Sequence, residues 1–126
     1  MTTDAKPKIL IVDDQPRNLD VLEAMLEGID CTFIRATSAD EALLCLVRHD
    51  FAALVLDIRM PGMSGLLLAA QAHLLRPGLP VIFMSGFTSQ FQEELSGSVC
   101  LQKPFRAPEL LAAIQDVIGP PHRAAG

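Results

Sequence analysis

Residues 9–14 read Ile-Leu-Ile-Val-Asp-Asp, a run of four apolar residues that ends in two carboxylates. A continuous apolar run of this length is typical of a β-strand buried on both faces, as in a parallel sheet covered by helices on each side. The same form recurs at residues 51–57, Phe-Ala-Ala-Leu-Val-Leu-Asp, where six apolar residues end at Asp57. The two segments therefore predict buried parallel strands with acidic side chains at their carboxyl ends.

Helical patterns alternate with these and other short apolar runs along the whole chain. The predicted strands lie at residues 9–12, 31–34, 51–56, 81–84 and 99–101. The predicted helices begin at Pro16, after a capping box at Ser38, at Ser64, at Thr88 (a short helix over residues 88–95) and at Pro108. This alternation predicts an α/β fold, in which a doubly wound, five-stranded parallel sheet carries five helices. A single domain is expected over residues 8–119, with a tail at residues 1–7 and a tail or the start of a linker at residues 120–126.

Composition narrows the classes of function. The chain has 126 residues, a net charge of −5 and a pI of about 5.0, so it lacks the basic stripe of a domain that binds nucleic acid directly. Cys31, Cys45 and Cys100 are odd in number and stand in apolar surroundings, which indicates reduced, buried thiols. The first apolar run is too short for a signal peptide or a membrane span, so a cytoplasmic location and no membrane partner are expected.

Polar side chains follow four of the five predicted strands. Asp13 and Asp14 end the first strand, Asp57 the third and Ser85 the fourth, and Lys103 follows the fifth. A parallel sheet brings these ends to one edge, where such folds collect their chemistry. Because neighbouring carboxylates repel each other, a cation is expected there, and Mg²⁺ prefers oxygen ligands of this kind. No His or Cys lies at these strand ends, which argues against zinc.

Each of these positions has a chemical role in phosphoryl transfer. A carboxylate such as Asp57 attacks phosphorus and forms an acyl phosphate. Mg²⁺ and the ammonium of Lys103 neutralise charge that develops on the phosphoryl oxygens, while the hydroxyl of Ser85 donates a hydrogen bond to them. We therefore expect Asp57 to be a phosphoacceptor.

Four segments in this order resemble the response-regulator receiver domain of two-component signalling: residues 9–14, 55–65, 83–86 and 103–105. The resemblance covers residues 8–118 and implies a flavodoxin-like fold. It further implies that Asp57 takes its phosphoryl group from a phosphohistidine. It also implies that Mg²⁺ is bound by Asp13, Asp14, Asp57 and the backbone carbonyl of Arg59, with Ser85 and Lys103 contacting the phosphoryl group.

The resemblance also implies the partners. They are a histidine kinase or phosphotransfer protein, and an output domain or downstream protein that reads the phosphorylated state. The domain is then no enzyme beyond catalysing its own phosphorylation and dephosphorylation. Monomer and dimer both fit the sequence.

Two departures keep an alternative open, a pseudo-receiver that binds partners without phosphorylation. Cys100 stands where the family usually has an aromatic switch residue. The stretch from Ser85 to Lys103 is also shorter than usual by about one helical turn, ~4 residues, within the fourth helix. A phosphatase of the aspartate-nucleophile type is a weaker rival, because it commonly needs a second carboxylate two residues after the nucleophile, where this chain has Arg59.

Overall fold

The computed structural model describes residues 6–58, 64–85, 99–103 and 105–118. Strands and helices alternate through these ranges as β1 Lys8–Val12, α1 Pro16–Met25, β2 Thr32–Ala36, α2 Ala39–Arg48, β3 Ala53–Asp57, α3 Gly65–Leu75, β4 Val81–Ser85, β5 Val99–Gln102 and α4 Ala107–Ile118. The helix predicted over residues 88–95 lies outside the described residues. The other predicted elements are all present.

The five strands form one parallel sheet in the order β2-β1-β3-β4-β5. The chain steps outward from β1 to β2, crosses back to β3 and continues to the other edge. This is the doubly wound order of flavodoxin-like folds, in which ligands bind at the carboxyl ends of the strands where the direction of winding reverses. Here that point lies between β1 and β3, and the predicted fold class is confirmed.

Alternate residues of the central strands point to opposite faces of the sheet, and each face has its own apolar core. On one face, Leu10 and Val12 of β1 join side chains of α2 and α3, including Leu46 and Leu68. On the other face, Ile9 and Ile11 join side chains of α1 and α4, including Leu19, Leu22, Leu110 and Ile114. Burial on both faces explains why β1, β3 and β4 read as unbroken apolar runs.

Strand β2 runs to Ala36, two residues beyond its predicted end. It pairs with β1 in register from Lys8↔Thr32 to Val12↔Ala36. The sequence pattern fails at Arg35, an exposed residue of this edge strand whose guanidinium pairs with Asp20 and Glu23 of α1. A charged side chain can stay exposed at the edge of a sheet while its backbone still pairs with the neighbouring strand, so Arg35 does not end the pairing.

The helix starts follow the predicted caps with one difference. The hydroxyls of Ser38 and Ser64 accept hydrogen bonds from the backbone N–H groups of Glu41 and Leu67, each at 3.1 Å. The Glu41 carboxylate, however, returns to the backbone N–H and hydroxyl of Thr37, at 2.7 and 2.9 Å. The capping box predicted a return to Ser38 itself, so the reciprocal bond is displaced by one residue.

The three cysteines carry free thiols, as predicted, but they are half-buried rather than buried. Cys31 precedes the edge strand β2 and Cys100 lies in the edge strand β5, where the sheet is covered less completely. Cys45 is on α2 and packs against the edge of the core. None of the helices within the described ranges combines the length and the hydrophobicity needed to cross a membrane.

Candidate functional site

The parallel register of the sheet brings the predicted polar residues to one edge. Val12 of β1 lies beside Leu56 of β3, so the next residue along each strand, Asp13 and Asp57, continues the same alignment. Asp57 in turn lies beside Met84, the neighbour of Ser85 on β4. The prediction that these strand ends converge is therefore confirmed for β1, β3 and β4.

Lys103 contacts Asp57 directly. Its Nζ lies 2.8 Å from Asp57 Oδ2, and the Lys103 and Asp57 side chains are 35% and 13% exposed. The Lys103 backbone N–H donates to the carbonyl of Ser85 at 2.9 Å, which extends the β4–β5 pairing by one residue and aims the side chain along the sheet edge. A charge-assisted bond of this length between partly desolvated groups places a positive charge against one oxygen of Asp57.

Asp13 is almost fully buried, with 1% of its surface exposed. Its Oδ1 accepts from the Gln15 backbone N–H at 3.0 Å and its Oδ2 from the Asn18 side-chain amide at 3.2 Å. Burial raises the pKa of Asp13 above its ordinary value, and the nearby charge of Asp57 raises it further, while the two hydrogen bonds and Lys103 oppose the rise. The carboxylates of Asp13 and Asp57 are thus electrostatically coupled.

Asn18 was not among the residues predicted from the sequence. It is the third residue of α1, five positions after Asp13, and no simple spacing rule connects the two. The sequence offered only a weak signal, a polar residue directly before Leu19 of the apolar stripe. In the structure, Asn18 is half-buried and Leu19 is fully buried.

The structure gives less information about the other two predicted metal ligands, Asp14 and the Arg59 carbonyl. Asp14 is half-buried and directly follows Asp13, and Arg59 lies outside the described residues. Among the residues that the structure describes, no three acidic, histidine or cysteine side chains gather closely enough to hold a metal by themselves. The roles of Asp14 and of the Arg59 carbonyl stay predictions.

The described donors nevertheless suit Mg²⁺. This ion keeps several waters and is usually held by one or two carboxylates together with phosphate oxygens, rather than by an all-protein cage. Asp13 and Asp57 supply two carboxylates in a buried, electrostatically coupled pair. The pKa of Asp13 is raised mainly by burial, and the nearby charge of Asp57 adds to this rise, so a cation bound beside the pair would favour the ionised form.

Ser85 completes the described part of the edge. It is 2% exposed at the end of β4, between the strand that carries Asp57 and the strand that leads to Lys103. Its backbone carbonyl receives the Lys103 N–H.

Gly65 allows the start of α3 to pack closely against the end of β3, next to Asp57. It opens α3, and its backbone N–H donates to the carbonyl of Ile58 at 2.6 Å. A Cβ atom at this position would overlap the backbone carbonyl of Asp57 and the side chain of Leu56. The start of α3 therefore packs directly against the end of β3, an approach that only glycine allows.

A groove of about 440 Å³ opens beside the acidic pair, between α1 and the segment that follows β5. Asp13, Asn18 and Lys103 form its polar end. The remaining lining is apolar: Val21, Leu22, Met25, Met84 and Phe105. The polar end of the groove thus contains Lys103 and Asp13, which interact with Asp57, and Asn18, which contacts Asp13.

Cys100 lies away from these groups. Its backbone pairs with Phe83 of β4, and its side chain is half-buried against the core under α2 and α3. Burial raises the pKa of its thiol, so the thiol stays protonated at neutral pH. This agrees with the interpretation of Cys100 as a small packing residue at a position where the family usually has an aromatic side chain.

Known proteins share this fold and sequence pattern. The family model of the response regulator receiver domain matches residues 9–115 of this chain. The two-component response regulator ARR14 of Arabidopsis thaliana is 40% identical over 117 residues, which cover 88% of this chain and 31% of that protein. Across the first curated relatives, the chain spans from 31% to 52% of their length.

Solved structures agree with these matches. A CheY-like response regulator receiver domain protein from Methanospirillum hungatei JF-1 is 29% identical, with a TM-score of 0.80 over 90% of this chain and 94% of that one. The response regulator TrrA from Thermotoga maritima, solved in complex with Mg²⁺ and BeF, is 26% identical with a TM-score of 0.79, and the match covers 88% of this chain and 98% of that one.

Proposed function

Because the chain belongs to the response regulator receiver domain family, we propose that Asp57 accepts a phosphoryl group from a phosphohistidine with the help of Mg²⁺. The partner that supplies it is a histidine kinase or a phosphotransfer protein. The observation that carries this proposal is the contact of 2.8 Å between Lys103 Nζ and Asp57 Oδ2, beside the buried carboxylate of Asp13.

The reaction uses few protein groups. A carboxylate oxygen of Asp57 attacks phosphorus as the P–N bond breaks, and the electron pair of that bond leaves on the imidazole nitrogen, which takes a proton. Lys103 is already next to the attacking carboxylate, so its ammonium faces the phosphoryl oxygens as charge develops on them. Ser85 supplies a hydroxyl at the neighbouring strand end.

Asp13 and Asp57 are the carboxylates that would hold Mg²⁺, with Asp14 and the carbonyl of Arg59 as further ligands. When bound, Mg²⁺ would neutralise phosphoryl charge, which Lys103 alone cannot balance beside two carboxylates. The complex of TrrA with Mg²⁺ and BeF supports the binding of Mg²⁺ by analogy.

The phosphorylated state is read by another protein or domain. The relatives are longer than this chain, and some are named as transcriptional regulators, NtrC of Salmonella typhimurium among them. An output domain or a downstream protein therefore fits as the reader. The cytoplasmic location stays a prediction.

Intact-mass measurement tests the proposal. Incubation with Mg²⁺ and a small phosphodonor should add the mass of one phosphoryl group to the protein, and the Asp57→Asn variant should gain none. EDTA should abolish the gain in the unmodified protein. No adduct with any donor or kinase would support the pseudo-receiver alternative, and steady turnover of an unrelated phosphoester would support the phosphatase alternative.

A further inference from the structure

Asn18 is held in a fixed place at the beginning of α1. Its backbone N–H donates to the carbonyl of Gln15 at 3.0 Å. The next residue, Leu19, is fully buried in the core between α1 and the sheet. Because these contacts fix the backbone at Asn18 and Leu19, they limit the positions that the side-chain amide of Asn18 can reach.

That amide points back along the chain to Asp13. Asn18 Nδ2 donates to Asp13 Oδ2 at 3.2 Å, while the Gln15 N–H donates to Oδ1 at 3.0 Å. A carboxylate has about four lone-pair positions, so one donor on each oxygen fixes the carboxylate plane and leaves a lone pair on each oxygen. Since Asp13 is only 1% exposed, bulk water does not orient it.

We propose that Asn18 is a positioning residue, whose side-chain amide holds the Asp13 carboxylate in the orientation that binds Mg²⁺. The proposal rests on the proposed function, in which Asp13 is a ligand of that ion. Groups that hydrogen-bond to metal ligands fix their orientation, and their removal typically weakens metal binding by about 10- to 100-fold. Asn18 has this relation to Asp13 through its side-chain Nδ2.

The Asn18→Leu substitution tests the role, because leucine has nearly the shape of asparagine and no hydrogen-bond donor. Titration with MgCl₂ alone, followed by calorimetry without any phosphodonor, should give a dissociation constant roughly 10-fold or more above that of the unmodified protein. Asn18→Ala should change it in the same direction, and it decides the question if the leucine variant does not fold.

Gln115→Leu is the matched control. It makes the same amide-to-leucine change at an exposed position of α4, on a residue that takes no part in holding Asp13. Its affinity for Mg²⁺ should equal that of the unmodified protein.

The Mg²⁺ dependence of phosphorylation separates positioning from a general effect on folding. In Asn18→Leu, the Mg²⁺ concentration for half-maximal rate should rise, while the rate at saturating Mg²⁺ stays close to normal. A folded Asn18 variant with unchanged Mg²⁺ affinity, or one with a lower plateau and unchanged half-saturation, would overturn the inference. Failure of the unmodified protein to bind Mg²⁺ would instead overturn the proposed function.

Discussion

Asp13, Asp57 and Lys103 bring two carboxylates and one ammonium to adjoining strand ends, and this imbalance of charge governs the chemistry of the site. Lys103 contacts Asp57 at 2.8 Å, while Asp13 receives only neutral donors. The residual negative charge is the physical reason to expect a cation there, and it also sets how substitutions should act.

Lys103→Met should have opposite effects on metal binding and on phosphorylation. Removing the ammonium leaves the carboxylates less compensated, so Mg²⁺ should bind more tightly. Phosphorylation should slow by about 10²- to 10³-fold, the usual cost of losing one group that stabilises transition-state charge. Calorimetry and timed intact-mass measurements check the two effects.

Lys8→Met is the control, because the Lys8 ammonium meets His49 near the amino end of the sheet, at 3.3 Å. It should change neither quantity. A normal phosphorylation rate in Lys103→Met would contradict the assigned role.

Asp13→Asn should remove a pH-dependent loss of stability that the unmodified protein shows when Mg²⁺ is absent. Burial and Asp57 raise the pKa of Asp13 in the folded state, so ionised Asp13 lowers the stability at neutral pH. A raised folded pKa contributes stability that is present below the unfolded pKa, near the ordinary value of 3.8 for Asp, and is lost as pH rises through the folded pKa. In EDTA, the Tm of the variant relative to that of the unmodified protein should therefore be higher at pH 7 than at pH 4.

This relative Tm should decrease as the pH falls through the pKa of Asp13, because the unmodified protein is then neutral at this position too. Thermal unfolding in EDTA from pH 7 to pH 4 measures the trend. A relative Tm that is equal at all pH values would mean that ionisation of Asp13 does not lower the stability.

At the scale of elements, the junction of β3 and α3 links stability to the position of Asp57. Gly65 lies against the Asp57 carbonyl, and Ser64 caps the same helix. Gly65→Ala forces a Cβ into occupied space and should cost about 1–3 kcal/mol, since overpacking in a core carries that penalty. It should also slow phosphorylation, because the end of β3 must move.

Ser64→Ala distinguishes the two effects. Losing this cap should cost about 1 kcal/mol without displacing Asp57. Urea denaturation gives the free energy of unfolding of both variants, and intact-mass measurement gives their phosphorylation rates. If Ser64→Ala slows phosphorylation as much as Gly65→Ala, loss of stability alone explains the effect.

The sequence predicted these elements where one pattern dominates, and it failed where two patterns compete. Buried strands such as β3 were evident because both of their faces need apolar side chains. The prediction ended strand β2 two residues too early, because the exposed, charged side chain of Arg35 interrupts the apolar pattern. The close approach at Gly65 depends on how α3 docks on β3, which local sequence does not encode.

At the scale of the whole molecule, the order of the strands converts separate motifs into one site. Asp13, Asp57, Ser85 and Lys103 were predictable because each follows a strand and parallel strands end at the same edge. Asn18 was not predictable, since its contact with Asp13 depends on the angle at which α1 leaves that edge. The residues that carry charge were evident from the sequence, and those that orient them needed the structure.

If the strand ends bind Mg²⁺ as proposed, this arrangement should couple Mg²⁺ binding to the stability of the entire domain. Both apolar cores share the sheet, and the site lies on the central strands β1 and β3, so local loss of the site requires disruption of the sheet centre. Mg²⁺ should therefore stabilise the folded protein by about 2.7 kcal/mol at 100 times its dissociation constant. Thermal unfolding across a MgCl₂ series should show a continuous rise in Tm, and NaCl at matched ionic strength should not reproduce it. Asp57→Asn removes one carboxylate and should therefore show a smaller rise in Tm with MgCl₂ than the unmodified protein. If the variant shows the same rise, or if NaCl raises the Tm of the unmodified protein as much as MgCl₂ does, the strand ends hold no specific cation.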